Sequence, residues 1–188
     1  MCCCQHILIG NIWFTKKLKV FVLTRGTSYF LVYKWGDWKN WKRYYPTILF
    51  FIIGNMIYDS LTYNYPLWEV TSPKHKVTLS TLFTELLIWP LMILFFLSKI
   101  TKLTSWLKKG LFLLLWIAIV STIELLINMR GLIAYHNGWT IWSSVFSNFF
   151  IYPLVFLHHK YPLWALLLTA ILGISALFIL QVPISTLK

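Results

Sequence analysis

The feature that most constrains the fold of this sequence is a series of five apolar runs, each about 20 residues long. An α-helix rises about 1.5 Å per residue, so a helical run of this length crosses the hydrocarbon core of a bilayer, which is roughly 30 Å thick. The sequence therefore predicts an all-α fold, a polytopic transmembrane helix bundle with five spans. The predicted spans cover residues 47–64, 79–97, 110–128, 140–157 and 163–182.

The composition excludes a soluble domain and a disordered chain. Hydrophobic residues make up 59% of the sequence and charged residues 12%, whereas ordinary soluble domains contain about 45–50% and about 25%. A disordered chain is instead poor in apolar residues and rich in charge. We therefore expect a multi-pass protein that has the lipid bilayer as its surroundings.

The connections between the apolar runs predict the domain organisation. They are short, and Pro or Gly marks them at Pro66, Pro73, Gly138 and Pro162. Short connections make consecutive spans antiparallel neighbours. Residues 34–188 are therefore predicted to form a single transmembrane helical domain.

Residues 1–33 form a weakly apolar, basic segment. Four basic residues interrupt its hydrophobic stretches: Lys16, Lys17, Lys19 and Arg25. Each of these charges would cost about 2.5–3.5 kcal/mol in the middle of a bilayer. The segment is therefore predicted to lie at the membrane interface, with a sixth span as the alternative.

The three cysteines of the chain are contiguous, at Cys2, Cys3 and Cys4. Neighbouring cysteines are poorly placed to bridge each other, so they indicate no disulfide framework. They are interpreted as free thiols. S-acylation is the alternative, because acyl chains would anchor a weakly apolar segment at a membrane surface.

The positions of the 17 Lys and Arg residues predict the orientation. Eight precede the first span, four lie between the second and third and one between the fourth and fifth, whereas the other side has four. Because cytoplasmic loops carry the excess of Lys and Arg, the N-terminus is predicted to be cytoplasmic.

The basic clusters between apolar runs indicate anionic phospholipid headgroups as partners and no nucleic acid. Neither protein partners nor an oligomeric state follow from the sequence.

Three of the five acidic residues, Asp59, Glu85 and Glu124, lie inside predicted spans. Counted in residues, all three stand at one level, roughly 6–9 Å beneath the outer boundary of the membrane. Ionised carboxylates are poorly solvated there, so an intramembrane acid is by default a functional hypothesis. Desolvation and repulsion between like charges predict that at least one of them holds a proton near neutral pH.

Other polar residues lie at helical spacing from these acids. Together with the acids they are predicted to line a polar cleft that faces outward. Asn55 shares a helix face with Asp59, and Asn148 belongs to a polar stripe on the fourth span. Arg130 and His136 lie in the adjoining outer loop, with Arg130 as a candidate counter-ion. The candidate ligand- or proton-binding residues are Asp59, Glu85, Glu124, Asn55, Asn148, Arg130 and His136.

Metal binding is a weaker hypothesis for the same level. Its candidate ligands are Asp59, Glu85, Glu124 and His136. No sequence spacing such as HExxH or CxxC supports a metal site, and the sequence indicates no cofactor and no catalytic residue.

At the cytoplasmic end of the fourth span, His158 and His159 beside Lys160 are expected to be surface side chains.

Three classes of function remain. Proton- or cation-linked binding or transport of a small ligand is preferred, because three ionised carboxylates in the membrane would cost about 8–10 kcal/mol, an expensive way to join helices. The alternative is a structural or interaction protein in which polar residues form interhelical hydrogen bonds of about 0.6–2 kcal/mol each. The third class is a membrane-embedded enzyme that acts on a lipid, which is disfavoured because no Ser/His/Asp arrangement or phosphate-binding glycine loop is recognisable.

Three segments in this order resemble a known family. They are WGDWKNWKRYYPTILFFIIGN at 35–55, LTYNYPLWE at 61–69 and YHNGWTIW at 135–142. Together they are similar to small multi-span integral membrane proteins of the Bacillus type, a family of unknown function. The resemblance covers residues 34–182 and implies the plasma membrane of a Gram-positive cell. It implies no activity, substrate or site.

Overall fold

The computed structural model describes residues 36–71, 81–183 and 185. The fold is mostly helical, as predicted. Its five long helices are α1 (Trp41–Leu61), α2 (Thr81–Ile100), α3 (Trp106–Met129), α4 (Ile141–Lys160) and α5 (Pro162–Ile179). A 3₁₀ turn, Trp38–Asn40, leads into α1. The predicted interfacial segment at 1–33, with its three cysteines, lies outside the described residues.

Four of these helices, α2 to α5, are long and apolar enough to cross a membrane. Such a set of helices is compatible with a membrane protein, as the sequence predicts. Helix α1 is of similar length but less apolar, because Lys42 and Arg43 occupy its first turn and Asn55 and Asp59 its second half. A crossing by α1 and the orientation of the bundle therefore stay predictions.

Consecutive helices run in opposite directions, which gives the bundle two ends. At one end the start of α1 meets the end of α2, where the Tyr44 and Thr101 hydroxyls are 3.5 Å apart. The start of α1 also meets the end of α4 there, through Thr47 and His158. We call this the basic end after the residues it gathers: Lys39, Lys42, Arg43, Lys99, Lys102, Lys108, Lys109 and Lys160.

Helix α4 is the centre of the packing, in contact with α1, α3 and α5, while α2 packs against α1 and α3. The core lies where the first four helices meet. The rings of Phe96, Trp116 and Tyr152 contact one another there, with centroids 5.1–6.0 Å apart. Helix α2 fits this core because Ile93, Phe96 and Ile100 recur at helical spacing and are all buried.

Helix α5 packs mainly against α4 and turns most of its apolar surface away from the protein. Ala165 is the one fully buried residue along this helix, whereas Leu163 and Phe178 are 80% and 71% exposed. Large exposed apolar surfaces of this kind are expected where lipid rather than water surrounds a helix.

A two-stranded antiparallel sheet joins the α1–α2 and α3–α4 connections, and the all-α prediction missed it. Strand β1 (Trp68–Val70) pairs with β2 (Ile133–Tyr135). The register pairs Trp68 with Tyr135, Glu69 with Ala134 and Val70 with Ile133. Three residues are too few to show an alternating pattern, so the sequence carried no usable signal for these strands. We call this end of the bundle the sheet end.

A Schellman motif at the end of α3 directs the chain into β2. The Gly131 N–H donates to the Asn128 carbonyl at 2.7 Å, and the Leu132 N–H donates to the Ile127 carbonyl at 3.1 Å. Gly131 has a φ of 65°, a left-handed conformation that glycine adopts without steric cost. The turn therefore explains how the chain reverses direction after α3 and reaches the position where β2 pairs with β1.

The predicted spans differ from the observed helices by a few residues at their ends. Helix α1 begins at Trp41 rather than at 47, because the helix extends beyond its apolar part. Helix α5 ends at Ile179 rather than at 182. The chain turns there at Gln181, whose φ of 51° stops the helix.

Candidate functional site

Glu85 lies in a π-helical stretch of α2 that covers Thr84–Ile88. Pro90 follows and has no N–H to donate to the carbonyl one turn earlier, so a wider turn at this point accommodates the interruption. The Glu85 side chain is 1% exposed, and its Oε2 has no hydrogen-bond partner among the described residues. A buried carboxylate oxygen without a partner is costly, which makes it a candidate for holding a proton or a cation.

Asp59 stands near the end of α1 and lies close enough to Glu85 for the two charges to interact. It is half-buried. Within the part of the chain that the structure describes, neither carboxylate forms an ion pair with a basic side chain. Two carboxylates in a medium of low dielectric constant repel each other, so one proton or one cation stabilises such a pair. We call Asp59 and Glu85 the carboxylate pair.

Aromatic side chains border the carboxylate pair. Trp89, one turn beyond Glu85, lies close enough to interact with it, although the indole Nε1 forms no hydrogen bond with a described residue. Tyr58, which precedes Asp59, stacks on Trp68 of β1 with the ring centroids 5.9 Å apart. The sheet therefore lies against the same part of α1 that carries Asp59.

Glu124, by contrast, has a hydrogen-bond partner of its own. The Tyr135 hydroxyl on β2 donates to Glu124 Oε1 at 2.8 Å, which ties α3 to the sheet. Burial raises the pKa of Tyr135, and the neighbouring Glu124 carboxylate raises it further. The hydroxyl therefore keeps its proton and remains a donor, so that Glu124 serves as an acceptor in an inter-element contact.

His136 pairs with Glu69, a carboxylate that the sequence analysis did not single out. The distance from His136 Nε2 to Glu69 Oε1 is 3.1 Å, and both side chains are partly exposed. The two residues approach because β1 pairs with β2, which places Glu69 opposite Ala134. No sequence signal could have joined them, since the pairing of two short strands brings them together.

The other candidate residues are dispersed. Asn55 donates to the Phe51 carbonyl of its own helix at 3.2 Å. Asn148 is buried, and its Nδ2 is 3.5 Å from Ser121 Oγ, which joins α4 to α3. Arg130 is exposed at the end of α3 and forms no ion pair with any described carboxylate.

The structure thus brings together two of the seven candidate residues. Asp59, Glu85 and Glu124 all stand in the parts of their helices nearest the sheet end, but Glu124 and His136 have other partners. Among the described His, Cys, Asp and Glu residues, no group of three is placed to hold a metal ion. The candidate functional site is therefore the carboxylate pair between α1 and α2, two acids that are able to hold a proton or a cation.

His158 is buried, which corrects the expectation of a surface position. Its Nδ1 is 3.1 Å from Thr47 Oγ1 on α1, and its ring stacks on Phe50 with the centroids 4.1 Å apart. The Thr47 hydroxyl satisfies an imidazole nitrogen that would otherwise be buried without a partner. The packing of α1 on α4 decides this environment, and the sequence of α4 alone does not show it.

No protein-family model, curated protein or solved structure matches this chain. The resemblance to small membrane proteins of the Bacillus type therefore stays a prediction from the sequence. The same holds for the Gram-positive source and the plasma membrane that it implies.

Proposed function

We propose that this chain is a multi-span integral membrane protein that binds a proton or a cation at the carboxylate pair and couples it to the binding or transport of a small ligand. One observation carries the proposal. The Glu85 carboxylate is 1% exposed and has an oxygen without a partner among the described residues, and a second carboxylate, Asp59, stands near it.

The energetics favour this function over a purely structural one. Burying a carboxylate without a hydrogen bond or a counter-ion costs several kcal/mol. Two helices can be joined more cheaply by Asn, Gln, Ser or Thr, which carry no charge. A pair of acids is therefore better explained by something that binds to it.

The local geometry of α2 supports the same proposal. Glu85 sits in a π-helical stretch, and such stretches are frequent at functional sites because they place a side chain where a regular helix does not. Pro90 further loosens the backbone hydrogen bonding of this part of α2. Both features weaken the helix, and a ligand site is one reason to retain them.

We place the carboxylate pair towards the outer side of the plasma membrane, in a bundle that α1 crosses as a fifth span. Support comes from the Lys and Arg residues, because eight of the nine that the structure describes lie at the basic end and Arg130 alone lies at the sheet end. Under the positive-inside rule the basic end is cytoplasmic.

Thermal unfolding of the purified full chain in a neutral detergent tests the proposal. We expect its Tm to rise when Na⁺, K⁺, Mg²⁺ or Ca²⁺ binds, since a ligand that binds only the folded state stabilises it. If a proton is the ligand, the Tm rises as the pH falls through the neutral range, because a carboxyl group that takes up a proton on folding stabilises the fold more at lower pH.

Three amide variants provide the matched comparison. Glu85→Gln should fold but lose the response to pH and cations, because an amide keeps the shape and removes the charge. Asp59→Asn should fold and weaken the response, because it removes the neighbouring charge but leaves Glu85 buried. Glu124→Gln should retain the response, since that side chain is bonded to Tyr135. A native chain without any response to pH or to the four cations contradicts the proposal.

A structural or interaction protein is the second candidate, and specific contacts favour it. Hydrogen bonds join α3 to the sheet through Glu124 and Tyr135, and α3 to α4 through Ser121 and Asn148. For that function, Glu85→Gln and Asp59→Asn should leave both the Tm and its pH dependence as they are in the native chain.

A further inference from the structure

A second polar region lies at the basic end, on the opposite side of the bundle from the carboxylate pair. It is a cavity of about 440 Å³. We call it the basic cavity, and its polar lining consists of Arg43, Thr101, Lys109, His159, Lys160 and Tyr161. Three fixed positive charges and an imidazole from α1, α3 and α4 therefore surround one space.

Two of these cations are held against the same aromatic rings. Lys109 Nζ is 4.7 Å from the centroid of the Trp106 ring and 5.8 Å from that of Phe156. Lys160 Nζ is 5.6 Å and 5.1 Å from the same two centroids. Cation–π attraction holds each ammonium group in place, but it does not neutralise either charge, so the two lysines still repel each other.

No carboxylate side chain compensates these charges inside the cavity. The chain has five Asp and Glu residues, all of them in the described ranges, and none lines the cavity. Asp37 is the one at the basic end, and its carboxylate accepts hydrogen bonds from Asn40 at 3.1 and 3.2 Å and lies 3.7 Å from Lys102 Nζ. The hydrogen bonds from the Asn40 amide, and to a smaller extent the Lys102 charge, hold the pKa of Asp37 below its usual value. Asp37 therefore has partners outside the cavity and does not neutralise the cations that line it.

The imidazole of His159 lies within reach of two of the cations that line the cavity. The charges of Arg43 and Lys160 both act on its imidazole. The Tyr161 hydroxyl adds a hydrogen-bond donor to the lining, whereas the Thr101 hydroxyl donates to the Leu97 carbonyl at 2.6 Å. Converging cations and a hydroxyl donor, with no acidic side chain in the lining to neutralise them, are suited to binding a phosphate group.

The surroundings of the cavity favour a lipid as the source of that phosphate. Trp106, at the start of α3, is 74% exposed, and Leu163 and Trp164, at the start of α5, are strongly exposed as well. Exposed aromatic and apolar side chains beside a cationic cavity are typical of the level where headgroups meet acyl chains. The starts of α3 and α5 also direct free backbone N–H groups towards this level.

We propose that the basic cavity binds the phosphate group of an anionic membrane lipid or of a free phosphate. This inference does not depend on the function proposed for the carboxylate pair, because the two sites lie at opposite ends of the bundle. Arg43, Lys109 and Lys160 supply the charge, and the Tyr161 hydroxyl donates a hydrogen bond. Basic side chains near a membrane surface each strengthen the binding of anionic lipid by about five-fold.

The test uses the purified full chain after removal of lipid, in a neutral detergent. Phosphatidylglycerol, phosphatidylcholine and inorganic phosphate are added in separate titrations. Native mass spectrometry counts the bound lipid, and thermal unfolding reports the binding of inorganic phosphate. We expect phosphatidylglycerol to bind more tightly than phosphatidylcholine, and Lys109→Gln and Lys160→Gln each to weaken that binding by about five-fold.

A charge-matched control separates the cavity from a generally basic surface. The double variant Lys109→Gln and Lys160→Gln should lose the preference, whereas Lys39→Gln with Lys108→Gln removes the same charge at the same end outside the cavity and should retain it. The cavity variant should unfold close to the temperature of the native chain in lipid-free detergent, because the repulsion it removes offsets the cation–π attraction it loses. If the double variant fails to fold, the two single variants carry the comparison.

Each outcome decides the question. Stabilisation by inorganic phosphate that the cavity variants lose supports the site and identifies a free anion as its ligand, while selective retention of phosphatidylglycerol identifies a lipid. Equal binding of the two lipids together with no effect of phosphate overturns the proposal. An equal loss of binding in the control variant overturns it as well.

Discussion

At the scale of single residues, the surroundings of a carboxylate decide what it can do. Glu124 accepts a hydrogen bond from Tyr135, while Glu85 is buried with a free oxygen beside Asp59. Counting residues along the helices was enough to place the three acids near one end of the bundle. It could not show which acid has a partner, because Tyr135 reaches Glu124 through the pairing of two three-residue strands.

The buried contact between Thr47 and His158 gives a prediction about stability. Thr47→Val keeps the shape of the side chain and removes the hydroxyl that lies 3.1 Å from the imidazole. We expect the free energy of unfolding in detergent to fall by about 0.6–2 kcal/mol, the range for an interhelical hydrogen bond in a membrane protein.

Thr122→Val is the control for this change. The Thr122 hydroxyl is exposed and donates to the Ala118 carbonyl of its own helix, so the same substitution there should change stability by less than about 0.5 kcal/mol. Equal losses at both positions would show that the hydrogen bond between Thr47 and His158 contributes nothing to the free energy of unfolding.

At the scale of elements, the long helices were predictable and the strands were not. An apolar run of about 20 residues has few alternatives to a helix, and all five predicted runs are helical within a few residues. The π-helical stretch around Glu85 depends on Pro90 together with the packing of α2 on α1, and the strands depend on each other. Neither leaves a periodic pattern in its own segment.

The turn that follows β2 gives a prediction at this scale. Gly138 has a φ of 79°, and a Cβ atom placed there meets nothing within 4 Å. Any loss on Gly138→Ala therefore comes from the backbone conformation alone, and we expect about 1–2 kcal/mol. Denaturant unfolding measures it.

Gly110→Ala on α3 is the matched substitution. A Cβ atom there also meets open space, but the backbone is helical, so alanine should stabilise the chain by up to about 1 kcal/mol. Opposite signs at the two glycines are the expected result. A gain at Gly138 would contradict the left-handed turn.

At the scale of the whole molecule, the two ends of the bundle carry opposite chemistry. The basic end gathers the lysines that the structure describes and the basic cavity, and the sheet end holds four of the five acidic residues. This polarity follows from the sequence, because alternating antiparallel helices bring alternate loops to the same end. The burial of His158 and the contact between His136 and Glu69 do not follow from it, since they depend on how the elements pack.

Thiol labelling of intact cells tests the orientation and the crossing by α1 together. In a chain with Cys2, Cys3 and Cys4 replaced by Ser, Lys39→Cys and Tyr63→Cys place one thiol before α1 and one after it. An impermeant reagent added outside should label position 63 and should reach position 39 only after the membrane is opened. Labelling of both positions from outside would show that α1 does not cross.

Infrared spectroscopy of the purified chain at neutral pH, in buffer free of metal cations, shows whether the carboxylate pair holds a proton, because a protonated carboxylic acid has a carbonyl band that an ionised one lacks. We expect such a band in the native chain and in Glu124→Gln. It should be lost in Glu85→Gln, weaker in Asp59→Asn, where Glu85 stays buried, and diminished by any cation that raises the Tm. A native chain whose carboxylates are all ionised under these conditions, with no change on adding a cation, would contradict the proposal.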